Sequence, residues 1–430
     1  MQAYVSTGSR SDTGLALLDA IEASHDPRLV AYLIDVLRVG PDSRLEERAL
    51  EILGPLTGLG DVGPQPAAYL AGGRWLLQHR LDPGPEYVAF KQEIYRAVDP
   101  AFAPLFGRVP DRVITAQLQW GGVPFAGIRE LNAPVRRTID QLGWRDRVRP
   151  EELVLGAVVN DASVGYPVRI LGRHELANDT VGGVPVALAY CTLCRSALLF
   201  DRRIDGQVLE FQTSGLLIDS NKVMVDRQTG SLWRQLSGEA IGGPLTGRKL
   251  EILPIETTTW SAWTAAEPAT EILELPDPWL VNSPDGPILA SYLYSPDAVQ
   301  PAYYASDALW FPTLGTPGPL RPKDEVIGIA IDGAALAVEL GALRQNGPVV
   351  LPLGAATVVV VAQPGGAAAY DGTGLGLAAG TRPDVGATPI GADQPAELAD
   401  GRRLRRLAST QSFWFAWYAN HPATTWWPGG

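Results

Sequence analysis

The chain has 430 residues, 46% of them apolar and 19% charged, with a formal net charge of −12 and two cysteines. That length exceeds what one hydrophobic core serves and predicts two or three domains, and the composition excludes disorder as the default state. The acidic balance, with a single basic cluster at Arg402, Arg403, Arg405 and Arg406, excludes a phosphate-binding surface and predicts no nucleic-acid partner.

From Leu15 to about Leu56 apolar residues recur at helical spacing: Leu15, Leu18, Ile21; Leu29, Leu33, Val36, Leu37; Leu45, Ala49, Ile52, Leu53. His25-Asp26-Pro27 and Gly40-Pro41-Asp42-Ser43 break the pattern as helix boundaries, with Asp42 or Ser43 placed to cap the next helix. Trp75–His79 and Pro85–Val98 continue it, so residues 1–105 read as an α-helical, repeat-like region. Its start, Met1 to Ser6, has neither the basic residues nor the apolar core of a signal peptide. The most apolar late run, Ala355 to Ala362, is far short of the roughly 20 residues of a membrane-spanning helix. The expectation is a soluble cytoplasmic protein with no membrane span.

Val113 to Trp144 carries turn pairs and reads as a connector. From Leu153 short strands take over: Leu153–Val159, Val184–Tyr190, Ala197–Phe200 and Val208–Phe211, with turns at Asn160-Asp161, Gly182-Gly183 and Asp205-Gly206. Val223–Val225 and Ser231–Trp233 make a further hairpin around Asp226, and Asp226 and Arg227 are expected to bond within it.

The C-terminal part repeats this pattern in order. Leu155–Ala162 matches Ile327–Ala334 at an offset of 172, and Ala197–Asp201 matches Ala367–Asp371 at 170. Trp260-x-x-Trp263-x4-Pro268-x-Thr270 matches Trp414-x-x-Trp417-x4-Pro422-x-Thr424 at 154. The predicted fold class is therefore α+β, an N-terminal α-helical region followed by a duplicated β-rich module. Copy one spans 106–275, a linker or lid 276–321 and a degenerate copy two 322–430. Each Trp-x-x-Trp places two indoles on one helix face, for core packing.

Both cysteines lie three residues apart, at the end of the apolar run Val184–Tyr190. Under the 170 offset Cys191 and Cys194 fall over Val361 and Pro364, and His174 falls near Gln345 and Asn346. The frame thus persists without thiols, which points to chemistry in copy one and scaffold in copy two. A pair at this spacing can close a local disulfide or share a soft metal ion, and the thiolate acts in both. For redox work one sulfur attacks and the other resolves. For a metal, Cys191, Cys194 and His174 are the candidate ligands, with Met224 or Asp226 as distant ones, which suits copper(I) better than a closed zinc site. His174 is open between proton carrier or ligand and a satisfied structural histidine. A thiol oxidoreductase is the leading expectation. Its rival is a non-enzymatic protein-interaction or scaffold module with incidental thiols, in which the helical stack and the acidic surface bind a protein partner; either reading allows a redox or protein partner through the helical N-terminal region.

Several stretches resemble the bacterial and archaeal domain of unknown function 3179 family. They are Ile170-Leu171-Gly172-Arg173-His174-Glu175, Asn178-Asp179-Thr180-Val181-Gly182-Gly183-Val184-Pro185-Val186, Tyr190-Cys191-Thr192-Leu193-Cys194, Ser220-Asn221, Asp226-Arg227-Gln228-Thr229 and Ser231-Leu232-Trp233. The resemblance covers about 110 to 425 and leaves the helical region outside. It implies no settled activity. Some relatives are described as possible selenoproteins, which adds weight to redox chemistry at Cys191 or Cys194, and many look exported. Arg195 stands where these relatives usually carry a small residue, most often Gly.

Overall fold

A computed structural model describes residues 7–143, 147–275, 281–283, 286–288, 294, 300–386 and 395–428. The chain divides into two compact units, each built from separated stretches. Residues 1–128, 212–249 and 309–315 form the first; 129–211, 250–308 and 316–430 form the second.

In the first unit the expected helices form at Thr7–Ser24, Val30–Val39, Ser43–Thr57, Ala67–His79 and Tyr87–Arg96. Asp42 is the N-cap of its helix, accepting from Leu45 N at 3.1 Å, and Gly58 ends that helix in the left-handed region. Residues 30–37 are all buried, which makes Val30–Val39 the central helix. Buried Asp35 accepts from Lys91 Nζ (2.8 Å), Tyr87 Oη (2.6 Å) and Tyr95 Oη (3.2 Å). The helices share their core with strands from residues 211–242, through Leu216, Ile218, Val223, Val225, Leu232 and Ile241. The hairpin around Asp226 forms, with Met224 opposite Trp233. Its carboxylate accepts from Thr229 N (2.6 Å), Thr229 Oγ1 (2.9 Å) and Trp233 Nε1 (2.8 Å).

The second unit holds the duplication. Its first half has β1 (Leu153–Val159), β2 (Ala162–Pro167), β3 (Leu176–Val181), β4 (Val184–Cys191), β5 (Ser196–Asp201), β6 (Glu251–Leu253), β7 (Glu256–Thr259) and β8 (Glu271–Leu273). The second half has β9 (Glu325–Ile331), β10 (Ala334–Glu339), β11 (Val349–Leu353), β12 (Ala356–Gln363), β13 (Gly366–Asp371), β14 (Arg403–Leu407), β15 (Thr410–Phe413) and β16 (Thr425–Trp427). Sheet orders correspond: β6-β5-β4-β3 to β14-β13-β12-β11, and β7-β1-β2-β8 to β15-β9-β10-β16. Registers correspond as well. Thr257 opposite Leu155 matches Gln411 opposite Ile327, and the parallel pair Glu271 with Val164 matches Thr425 with Leu336.

The tryptophan motif has the same physical content in both halves. Trp263 Nε1 donates to Thr270 Oγ1 at 2.9 Å and Trp417 Nε1 to Thr424 Oγ1 at 3.0 Å, and both indoles are buried. A β-carbon on Gly156 or on Gly328 would overlap the ring of Trp263 or Trp417, so glycine recurs there.

The stretch expected to be a connector instead contains the helix Arg112–Gln117 and three short strands. Two of them, Leu131–Asn132 and Arg136–Thr138, close sheet edges of the second unit. Strands of two or three residues are too short to leave an alternation pattern in sequence. Of the stretch 276–321 read as linker or lid, residues 276–280, 284–285, 289–293 and 295–299 lie outside the described residues. Among the described residues no helix is long and apolar enough to cross a membrane.

Candidate functional site

Cys191 is the last residue of β4 and pairs with Ser196, so Thr192 to Arg195 form a four-residue hairpin tip. In the second half the equivalent closing pair is Gln363 with Gly366, around the two-residue tip Pro364-Gly365. The registers locate the difference. Ala177 opposite Leu188 matches Val349 opposite Val360, an offset of 172, whereas Phe200 matches Tyr370 at 170 through their partners Ile252 and Arg406. Cys191 therefore lies over Gln363, not Val361, while Cys194 lies over Pro364 and Arg195 over Gly365. Thr192 and Leu193 are an insertion specific to the first half. Arg195 has φ 49° and Gly365 φ 86°, so the arginine occupies a left-handed position that favours glycine.

No disulfide joins the two cysteines, and both are buried, at 2% and 0% exposure. A tight reversal brings residues i and i+3 to within about 7 Å, the range in which a disulfide can close. The tip is held at several atoms. Cys194 O accepts from Phe413 N (2.9 Å), and Thr192 O accepts from Tyr304 Oη (2.8 Å). Thr192 Oγ1 donates to Glu175 Oε1 (3.0 Å). Arg195 Nη1 meets Glu325 Oε1 at 2.8 Å, and its guanidinium lies over the Tyr304 ring, 5.5 Å from the centroid. The Tyr190 and Tyr304 hydroxyls are 3.5 Å apart. Burial pushes Tyr190 up to about 12 and Tyr304 well above the ordinary phenol range, and a negative charge at Cys191 acts upward on both.

Tyr304 is itself fixed. Lys323 Nζ donates to the carbonyls of Tyr303 (2.5 Å), Ser306 (2.6 Å) and Ala308 (2.7 Å), one for each ammonium proton. No local motif marks Tyr304, Lys323 or Glu325, all of which come from beyond residue 300. The tyrosines of the supposed linker were the one available signal.

His174 closes the helix Val168–His174, and Glu175 follows it with a positive φ of 59°, as Gly347 follows the equivalent helix Leu340–Asn346 with φ 79°. The imidazole is buried. Its Nδ1 lies 2.8 Å from Arg129 O and its Nε2 2.6 Å from Tyr294 Oη. The carbonyl can only accept, so Nδ1 carries the proton and Nε2 accepts from the phenol. Burial draws the imidazole pKa below its ordinary value, against the upward pull of the Arg129 carbonyl.

A cleft of about 340 Å³ opens beside the tip, lined by Tyr190, Arg195, Ala197, Tyr304, Arg169 and Gln411 among others. Tyr190 and its cross-strand neighbour Ala197 face it, and alternation along β4 turns Cys191 to the opposite face. Among the described residues no three His, Cys, Asp or Glu side chains converge on a point that could hold a metal ion. Met224 and Asp226 belong to the first unit, where Asp226 organises its own hairpin.

The family model described as "Protein of unknown function (DUF3179)" matches residues 127–424, and the chain belongs to that family. No curated protein and no solved structure matches the chain.

Proposed function

We propose that this member of a family without an assigned activity is a thiol–disulfide redox protein whose working sulfurs are Cys191 and Cys194. The observation that carries the reading is the hairpin register: the thiols bracket a two-residue insertion in a frame that the second half builds without it. A tip that the second half's equivalent hairpin builds two residues shorter, holding both cysteines of the chain as thiols, is best explained by chemistry. In this reading one thiolate attacks a substrate disulfide and displaces a thiolate, giving a mixed disulfide. The second sulfur then attacks that bond and releases the other substrate sulfur. Two electrons and two protons pass from the pair to the substrate, leaving Cys191 and Cys194 joined. With both His174 nitrogens already bonded, solvent and substrate take up the protons. A copper(I) or zinc site on Cys191, Cys194 and His174 has less support, because those side chains form no three-ligand cluster.

A second reading is favoured by one specific observation, the burial of both sulfurs. It makes the chain an interaction module with incidental thiols, whose acidic helical region docks a protein partner. Titration with reduced and oxidised glutathione, read by mass spectrometry of trapped thiols, separates the two. The redox reading expects two thiols to disappear together as one intramolecular disulfide, and Cys194→Ser to abolish that step in a protein that still folds. Two thiols unchanged across the titration would reject the redox reading and leave the module.

A further inference from the structure

We infer that the chain beyond residue 300, through Tyr304 and through Glu325 and Phe413 of the thiol-free second half, sets the redox midpoint of the first half's pair by clamping its hairpin tip in the dithiol shape. This rests on the redox reading and adds a regulator to it. The two tips dock reciprocally. Cys194 O accepts from Phe413 N at 2.9 Å, and its counterpart Pro364 O accepts from Thr259 N at 3.2 Å and from Thr258 Oγ1 at 2.9 Å. Thr259 and Phe413 are themselves counterparts, the N-cap positions of Trp260–Ala266 and Trp414–Asn420. The frame therefore fixes the Cys194 backbone whether or not a sulfur is present.

On this shared docking the first half adds contacts through Thr192, which is inserted, and through Arg195, which replaces Gly365 of the shared frame. Thr192 O is taken by Tyr304 and Thr192 Oγ1 by Glu175, and Arg195 is held by Glu325 on β9. Clamps fall on Thr192, Cys194 and Arg195, three of the four tip residues, all while the sulfurs are unjoined. Joining them forms the sulfur bond across a tip whose backbone is tied down at those residues. Interactions that are stronger in the dithiol than in the disulfide stabilise the dithiol and make the pair a better oxidant. Glu325 and Tyr304 are thus positioning residues, acting on the sulfurs through Arg195 and Thr192.

The test measures the equilibrium in which the protein dithiol and glutathione disulfide give the protein disulfide and two glutathione thiols. It compares the full chain with Glu325→Gln, Tyr304→Phe and the double variant. Tyr304→Phe keeps the ring and removes only the donor, and Glu325→Gln keeps the shape and removes the charge. Each single variant is expected to shift the equilibrium about three- to ten-fold toward the protein disulfide, and the double variant further. A ten-fold shift corresponds to about 30 mV. Arg195→Gly should shift the equilibrium at least as far as Glu325→Gln, since it removes the ring contact with Tyr304 as well as the ion pair, and adding Glu325→Gln to it should have little further effect. If the parent chain titrates normally while the variants stay within two-fold of it, or move toward the dithiol, the clamp is refuted and the redox reading stands. If the parent chain forms no disulfide at any glutathione ratio, both fall together.

Discussion

At the scale of single residues, two side chains stand where the duplicated frame has a different solution. His174 corresponds to Asn346 and is bonded as a neutral imidazole between Arg129 O and Tyr294 Oη. Its folded pKa lies below 6.5, so near and below that pH the unfolded chain binds the proton more readily. The stability it contributes is complete above pH 6.5 and falls as the pH drops toward its lowered value, by at most about 1.4 kcal/mol per pH unit. Urea midpoints taken between about pH 7.5 and pH 5.5 should show this slope, and His174→Asn should flatten it. An unchanged slope in the variant would assign the proton uptake to another group. Arg195 presents the opposite balance. Its left-handed backbone costs about 1 kcal/mol. Its partly exposed ion pair and its ring contact return about 0.5–1 kcal/mol each. Arg195→Gly should therefore change stability by less than about 1 kcal/mol, while Arg195→Ala, which keeps the strain and loses both contacts, should cost about 1–2 kcal/mol. Thermal unfolding of the two variants side by side checks the ordering.

At the scale of elements, the hairpin tip makes a sharper prediction, since the second half shows what this frame does without the insertion. Deleting Thr192 and Leu193, together with Cys194→Pro and Arg195→Gly, recreates the tip Pro364-Gly365 in the first half. The shortened chain should fold with unchanged far-ultraviolet circular dichroism and a melting temperature within a few degrees of the parent, while losing all disulfide formation. Loss of folding would mean that the first half has come to need its longer tip. The strands around that tip were legible because alternation and turn chemistry survive in runs of six to eight residues, as in β1 and β4. Trp-x-x-Trp and its trailing threonine were legible as a repeat, and the structure supplies the reason in the indole-to-threonine bond. The partners of the tip were not legible. Glu325 and Tyr304 reach Arg195 and Thr192 from more than 100 residues away, and no periodicity encodes such an encounter. The helical character of residues 1–105 is plain from the 3.6-residue spacing that begins at Leu15, but the spacing tells which face is buried and not what buries it.

At the scale of the whole molecule, that last distinction decides how the chain can be cut. The first unit draws its core from helices before Ile128 and from strands after Phe211, with Leu216, Ile218, Val223, Val225, Leu232 and Ile241 packed among the helical residues. Burying an apolar side chain of this size contributes about 1.5–3 kcal/mol. Six of them therefore contribute on the order of 10 kcal/mol, as much as the entire net stability of a typical domain, about 5–15 kcal/mol. The strand Gln119–Trp120 would also lose its partner, since Gln119 and Trp120 pair with Leu217 and Leu216. Buried Asp35 and Lys91 would remain within the helices, and a charged pair in a loosened core adds a desolvation cost without the packing that offsets it. A fragment ending at Ile128 should consequently keep some helical signal yet melt without a cooperative transition, bind hydrophobic dyes and fall quickly to proteases. Rejoining residues 212–249 through a short flexible linker should restore a sigmoidal urea curve. A sharp transition in the shorter fragment would show that the helices close their own core, and that the later strands only cover it.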